Sequence, residues 1–361
     1  MALSDPTDKL DKPTAPMAQE ELDALERSLS GLVGGYLTRT RTLAGAVYGL
    51  LRAPEGPVRT PQIASAAGVP EHALRRVLDE IDLDEAALRH ELVRGLPAHE
   101  LRALTIETAW IEITPGENGK WRQIISLHAH GEERVLPIGW AVLDVPLPPG
   151  SPVRGVVELE IRAVSALVAQ AARDYQAQEG SKFGTAARVP VVIRDPAFGP
   201  DRALRSALGR LTSEYWIGVN GNDKLEEPLE HEPYEPLEVP ASVAELFAPV
   251  PSVSIPEPRE IRAGTARQGR EYLTAGRRDG VAHYGITRPF VASEPGVPLA
   301  RRPQRRAVKL TELALDLRDT RAAHRLRLTD LRHPKTVGAR RLALVASLLE
   351  PMRAGVAQVT P

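Results

Sequence analysis

The chain has no cysteine in its 361 residues. That excludes disulfides, thiolate metal sites and cysteine nucleophiles. Aromatic residues make up only 4%. No apolar run approaches the ~18 residues of a membrane span. Residues 1–17 are polar and lack the apolar core of a signal peptide. The expected setting is the cytoplasm, with no membrane partner. No glycine-rich phosphate loop is present, so no nucleotide cofactor is expected; residues 218–222, Gly-Val-Asn-Gly-Asn, read as a turn. His128, His130, His231 and His283 show no ligand spacing and read as structural or surface residues.

What the chain does have is 42% hydrophobic residues, enough for a large core and for two or more domains. Its 32 prolines and 28 glycines predict many loops. The net charge of −1 is unevenly spread. Residues 220–258 hold nine acids against one base, whereas residues 259–341 hold twenty Lys or Arg against eight acids. A basic block of this kind marks a nucleic-acid surface, a solvated face, or a partner for the acidic block.

Residues 1–17 read as a disordered tail. From residue 18 to 98 the pattern is helical. Leu22, Leu25, Leu29, Leu32 and Val33 form one stripe, and a second helix is expected at about 40–51. Residues 60–81 have the pattern of a helix-turn-helix. Ile63 points to a core, Ala64 allows a close crossing, Gly68 supplies the turn, and Leu74, Val77 and Leu78 anchor the second helix. On that reading His72, Arg75 and Arg76 contact DNA; the alternative is a helical hairpin with no DNA role. The acids Glu71, Asp79 and Glu80 dilute the positive face.

The period then changes. Residues 104–114, 121–129 and 133–143 are rich in β-branched residues and alternate in part, which predicts three antiparallel strands. A long helix is expected over 156–178. Residues 189–199, Val-Pro-Val-Val-Ile-Arg-Asp-Pro-Ala-Phe-Gly, read as a buried strand running into a single acid, Asp195. Asp195 either sits as a ligand-binding group on the rim of a sheet or caps the next helix, with Pro196 at the first helical position. A helix to residue 211 and a strand at 214–219 come next. This order gives an α/β class with the layout of the RNase H-like fold: a mixed sheet flanked by helices, preceded by an all-α helix-turn-helix-like domain. In that layout the first carboxylate lies on the first strand and the second at the end of the fourth, the places of Glu107 and Asp195.

Several stretches resemble the bacterial insertion-sequence transposases of the DDE type, over most of residues 20–350. Residues 43–52, Leu-Ala-Gly-Ala-Val-Tyr-Gly-Leu-Leu-Arg, are similar to the helix before the catalytic domain. Residues 121–143, with Leu-Pro-Ile-Gly-Trp at 136–140, are similar to the strand pair after the first acid. Asp-Pro-Ala-Phe-Gly at 195–199 resembles the second-acid motif Asp-Arg-Gly-Phe-Gly, and Leu-Arg-Asp-Thr-Arg at 317–321, followed by residues 324–330, resembles the third-acid helix and its continuation.

The resemblance implies a protein acting on double-stranded DNA by phosphodiester cleavage and strand transfer. Three carboxylates would hold two Mg²⁺ or Mn²⁺ ions about 4 Å apart. Asp195 matches the second acid, and Glu107 stands where an Asp is expected. The third falls at Ala314; the nearest acids, Glu312 and Asp316, lie about 200° around the helix from it. Glu312 is the candidate third catalytic and metal-binding residue, with Asp316, or no acid at all, as alternatives. Of the family's basic and Tyr positions around this acid, only Arg321 keeps its chemistry. The scaffold is thus kept while catalytic residues have drifted, so the alternative is a non-catalytic DNA-binding regulator derived from a transposase.

The catalytic domain would run over 99–219, resume in C-terminal helices at 307–361, and be split by an insertion at 220–306, acidic and Pro-rich and then basic. Within and beside that insertion Arg277, Arg278, Arg301, Arg302, Arg305 and Arg306 are candidate phosphate contacts. A homodimer is compatible with the sequence.

Overall fold

The computed structural model describes residues 60–80, 96–112, 121–132, 135–145, 158–179, 189–212, 214–223, 242–247, 255–262, 270–290 and 301–317, with parts of 23–52 and 82–94. The expected disordered tail, the acidic stretch over 226–240 and Arg321 lie outside these residues. Two compact units divide the chain, one comprising 1–88 with 330–361, the other 89–329.

In the first unit, a two-residue strand β1 (Val33–Gly34) precedes helices α1 (Leu37–Arg52), α2 (Thr60–Ala67) and α3 (Glu71–Glu80). A second short strand β2 (Asp82–Leu83) pairs antiparallel with β1. Helix α1 packs on both α2 and α3. Their shared core is Leu43, Ala44, Ala46 and Val47 of α1, Ile63 and Ala64 of α2, and Leu74 and Val77 of α3, all buried. Helix α2 ends at Gly68, whose φ of 65° requires glycine. The Val69 amide donates back to the Ala64 carbonyl and the Gly68 amide to that of Ser65, which stops α2 and turns the chain into α3.

The second unit is a mixed α/β structure built on one eight-stranded sheet. Strands β3 (Ala103–Glu112), β4 (Trp121–His130) and β5 (Val135–Val145) form the expected antiparallel meander. Helix α4 (Glu158–Glu179) crosses to β6 (Val191–Ile193), which lies parallel to β3. Helix α5 (Arg202–Leu211) leads to β7 (Tyr215–Val219), parallel to β6. After a one-turn helix α6 (Val243–Leu246) come β8 (Arg259–Arg262), β9 (Glu271–Arg278) and β10 (Val281–Arg288). Helix α7 (Arg302–Asp316) comes last. The strand order is β5-β4-β3-β6-β7-β10-β9-β8.

The segment over 259–288 therefore extends the central sheet through the antiparallel pair β7–β10. Within it β9 is buried for six consecutive residues, as strands covered on both faces are. One face of the sheet carries Ile106, Ile193, Ile217 and Ile286, with Leu167 of α4 lying over Gly139. Helix α7 covers the other face. There Ala314 and Leu317 pack with Ala103, Val192 and Trp216, and the Thr311 hydroxyl donates to that of Thr274 at 2.9 Å. Among the described residues no helix is long and apolar enough to cross a membrane.

Candidate functional site

The expected acids Glu107 and Asp195 are brought to adjacent strands but not to one point. In the parallel pair β3–β6, Ile106 faces Ile193. One step on, Glu107 lies beside Arg194; two steps on, Thr108 lies beside Asp195. Consecutive strand residues project to opposite faces, and the contacts obey that rule. Arg194 Nη1 lies 3.7 Å from Glu107 Oε1, on the face covered by α7. The Thr108 hydroxyl donates to Asp195 Oδ2 at 2.5 Å, on the opposite face.

Asp195 is also the N-cap of a short 3-10 turn over Pro196–Phe198, with its Oδ1 accepting from the Ala197 amide at 3.1 Å. The Ala197 contact is that of a cap on this turn, with Pro196 at its first position, while the helix α5 itself is capped by Asp201. Asp195 is half-buried and Glu107 is 3% exposed.

Glu107 sits in a buried polar row. Ser126, opposite it on β4, donates to the Glu107 carbonyl at 3.4 Å, and the His128 ring nitrogen Nε2 lies 2.8 Å from the Ser126 hydroxyl. The His130 ring reaches the Thr105 hydroxyl at 2.9 Å. Both histidines are buried, in keeping with a structural role.

Helix α7 carries Ala314, the position that the resemblance gives to the third acid. Ala314 is the residue facing the sheet, 3% exposed, and its carbonyl accepts from Arg194 Nη2 at 3.3 Å. Glu312 is exposed on the outer side of the helix. Asp316, also exposed, pairs with Arg102 at 3.0 Å. The candidate set Glu107, Asp195 and Glu312 is thus not assembled: the first two point to opposite faces and the third points to solvent. Among the described residues no three His, Asp or Glu side chains approach closely enough to hold a metal ion. The described residues do not fit the two-metal arrangement.

The residue that sequence reasoning passes over is Arg194. Its signal is an arginine immediately before Asp195, but the meaning of that signal depends on the β3–β6 register. Its Nη2 also donates to the Leu317 carbonyl, to which Arg278 Nη1 donates at 2.8 Å. His283 of β10 is near enough to be affected by both arginines: burial, then the charges of Arg278 and Arg194, push its pKa below the usual 6.5, against an opposing pull from Asp279.

The candidate DNA contacts separate by environment. His72, Arg75 and Arg76 are exposed on one face of α3, where Arg75 pairs with Glu71 at 2.5 Å and Arg76 with Glu80 at 3.2 Å. Arg277, Arg301 and Arg305 are exposed, and Arg302 is half-buried. Two of the expected contacts hold the fold together. Arg306 makes a two-pronged bridge to buried Glu214 at 2.7 and 2.6 Å, and Arg278 ties β9 to the end of α7.

No protein-family model matches the chain, and no curated protein sequence matches it. Among solved structures, the NurA nuclease from Sulfolobus solfataricus aligns over 56% of this chain and 72% of that chain, at 8% identity and a TM-score of 0.27. At that score the likeness is too slight to assign a fold.

Proposed function

We propose that this protein is a non-catalytic DNA-binding protein built on a transposase-like scaffold. The observation that carries the reading is the divergence of the acids, with Glu107 and Asp195 on opposite faces of the sheet and Ala314 at the third place. Phosphodiester displacement of the two-metal kind needs the carboxylates gathered around shared ions. The order of three antiparallel strands, helix, strand, helix and strand supports an RNase H-like reading of the sheet.

Support for DNA binding comes from two exposed sets of basic residues, the first of them paired with acids of the same helix. In the first unit, α2, the Gly68 turn and α3 have the proportions of a helix-turn-helix, with His72, Arg75 and Arg76 on the outward face of α3. In the second, Arg301, Arg305 and Lys309 form an exposed ridge over the first half of α7, while Glu312 and Asp316 occupy the second half. That order is the reverse of what the helix dipole favours. Local helix stability does not select it, whereas an external polyanion would.

The test is DNA binding by the full chain at several salt concentrations, with EDTA and with Mn²⁺, beside a nicking assay. The expected result is binding that weakens steeply with salt, is indifferent to EDTA, and is accompanied by no cleavage. Metal-dependent nicking that Asp195→Asn abolishes would reinstate the transposase reading. Absence of any salt-dependent binding would remove DNA from the account.

A further inference from the structure

Arg194 stands among three oxygen groups from two elements, one in an ion pair at 3.7 Å and two accepting its hydrogen bonds. One is the Glu107 carboxylate of β3, which is almost wholly buried; the others are the carbonyls of Ala314 and Leu317 at the C-terminal end of α7. Carboxylate and carbonyl oxygens are the donors a hard divalent ion takes. The two carbonyls also carry the partial negative charge of a helix C-terminus. The resemblance would put metal among Glu107, Asp195 and the helix that carries Ala314; beside Glu107 a guanidinium stands instead.

We propose that Arg194 is a built-in cation that replaces a divalent ion between Glu107 and α7 and fastens that helix to the sheet. A guanidinium suits this task because it is permanently charged, and its planar fork reaches several acceptors at once. Arg278 adds a second hold on the Leu317 carbonyl, and Arg102 on Asp316 a third. The inference takes from the proposed function only the reading that the chain works without a divalent ion; a failure to bind DNA would leave it standing.

The experiment is thermal unfolding of the full chain with and without Mn²⁺, for wild type, Arg194→Met, Glu107→Gln, and the double variant. Removing one partner of a buried pair costs far more than replacing both. Arg194→Met is expected to melt lower by about 6–15 °C, and the double variant to recover at least about half of that loss. Wild type is expected to melt at one temperature with or without Mn²⁺. A double variant no more stable than Arg194→Met would overturn the proposal, as would a Mn²⁺ stabilisation of wild type that Glu107→Gln removes. Should Arg194→Met not fold, Arg194→Lys decides. Lysine keeps the charge but cannot span the carboxylate and both carbonyls, so it is expected to melt between wild type and the unfolded limit. A lysine variant as stable as wild type would overturn the fastening role.

Discussion

The hydroxyl of Thr108 donates to the carboxylate of Asp195, and Asp195 in turn accepts from the Ala197 amide, so this acid joins the end of β6 to β3 and starts the turn after it. A cap of this kind is retained by Asn and lost with Ala. Asp195→Ala is expected to cost about 1–2 kcal/mol and Asp195→Asn well under that. Urea unfolding measures both. A loss for Asn as large as that for Ala would show that the charge, and not the cap, is what matters here.

Arg305 and Arg306 are sequence neighbours with opposite expected roles. Arg306 bridges Glu214, which is 2% exposed and also accepts from the Phe290 amide at 3.0 Å. Removing the guanidinium strands a buried carboxylate, so Arg306→Ala is expected to lower stability by about 2–3 kcal/mol, reduced from the fully buried case because Arg306 itself is partly exposed. Arg305 is exposed, so Arg305→Ala is expected to leave stability unchanged and to weaken DNA binding. Denaturant melts and salt titrations of DNA binding on the same two proteins separate the roles.

On α3, Arg75 and Arg76 are each engaged by an acid four residues away along the helix. Such exposed pairs hold only about 0.3–0.5 kcal/mol, so a phosphate can outcompete them. Removing either arginine is expected to reduce the slope of log affinity against log salt by about one unit. Glu71→Gln and Glu80→Gln are expected to strengthen binding. Unchanged affinity in all four variants would leave α3 as one half of a plain helical hairpin.

His283 gives a pH signature. Burial and the charges of Arg278 and Arg194 lower its pKa in the folded protein. The folded state therefore binds this proton less readily than the unfolded chain does. Its effect on stability is absent well above pH 6.5 and emerges as a loss as the pH falls below that value towards the lowered pKa. His283→Gln is expected to flatten that part of the stability curve. NMR titration should also show the His283 pKa rising in Arg278→Ala, since one of the charges that depress it is then gone.

The helices α4 and α5 were legible because each has one buried side and thus a clear period, and the strands β3, β4 and β5 because runs rich in β-branched residues are parted by short turns. The turn at Gly68 was legible because a positive φ there calls for glycine. Strands β9 and β10 were not, because the place of β10 beside β7 is a long-range pairing with no local mark. Arg306 reads as a phosphate contact because its sequence neighbours are basic; its partner Glu214 lies 92 positions away.

By itself the sequence determined the α/β class, the meander and the uneven charge. These are properties of composition and of short-range periodicity, which any window of ten or twenty residues expresses. Tertiary structure alone decided that Glu107 and Asp195 look to opposite faces and that Arg194 stands beside Glu107. The physical reason is the two-residue period of a strand: a shift of one step in the register between β3 and β6 exchanges which side chains share a face, and no residue within either strand records that register.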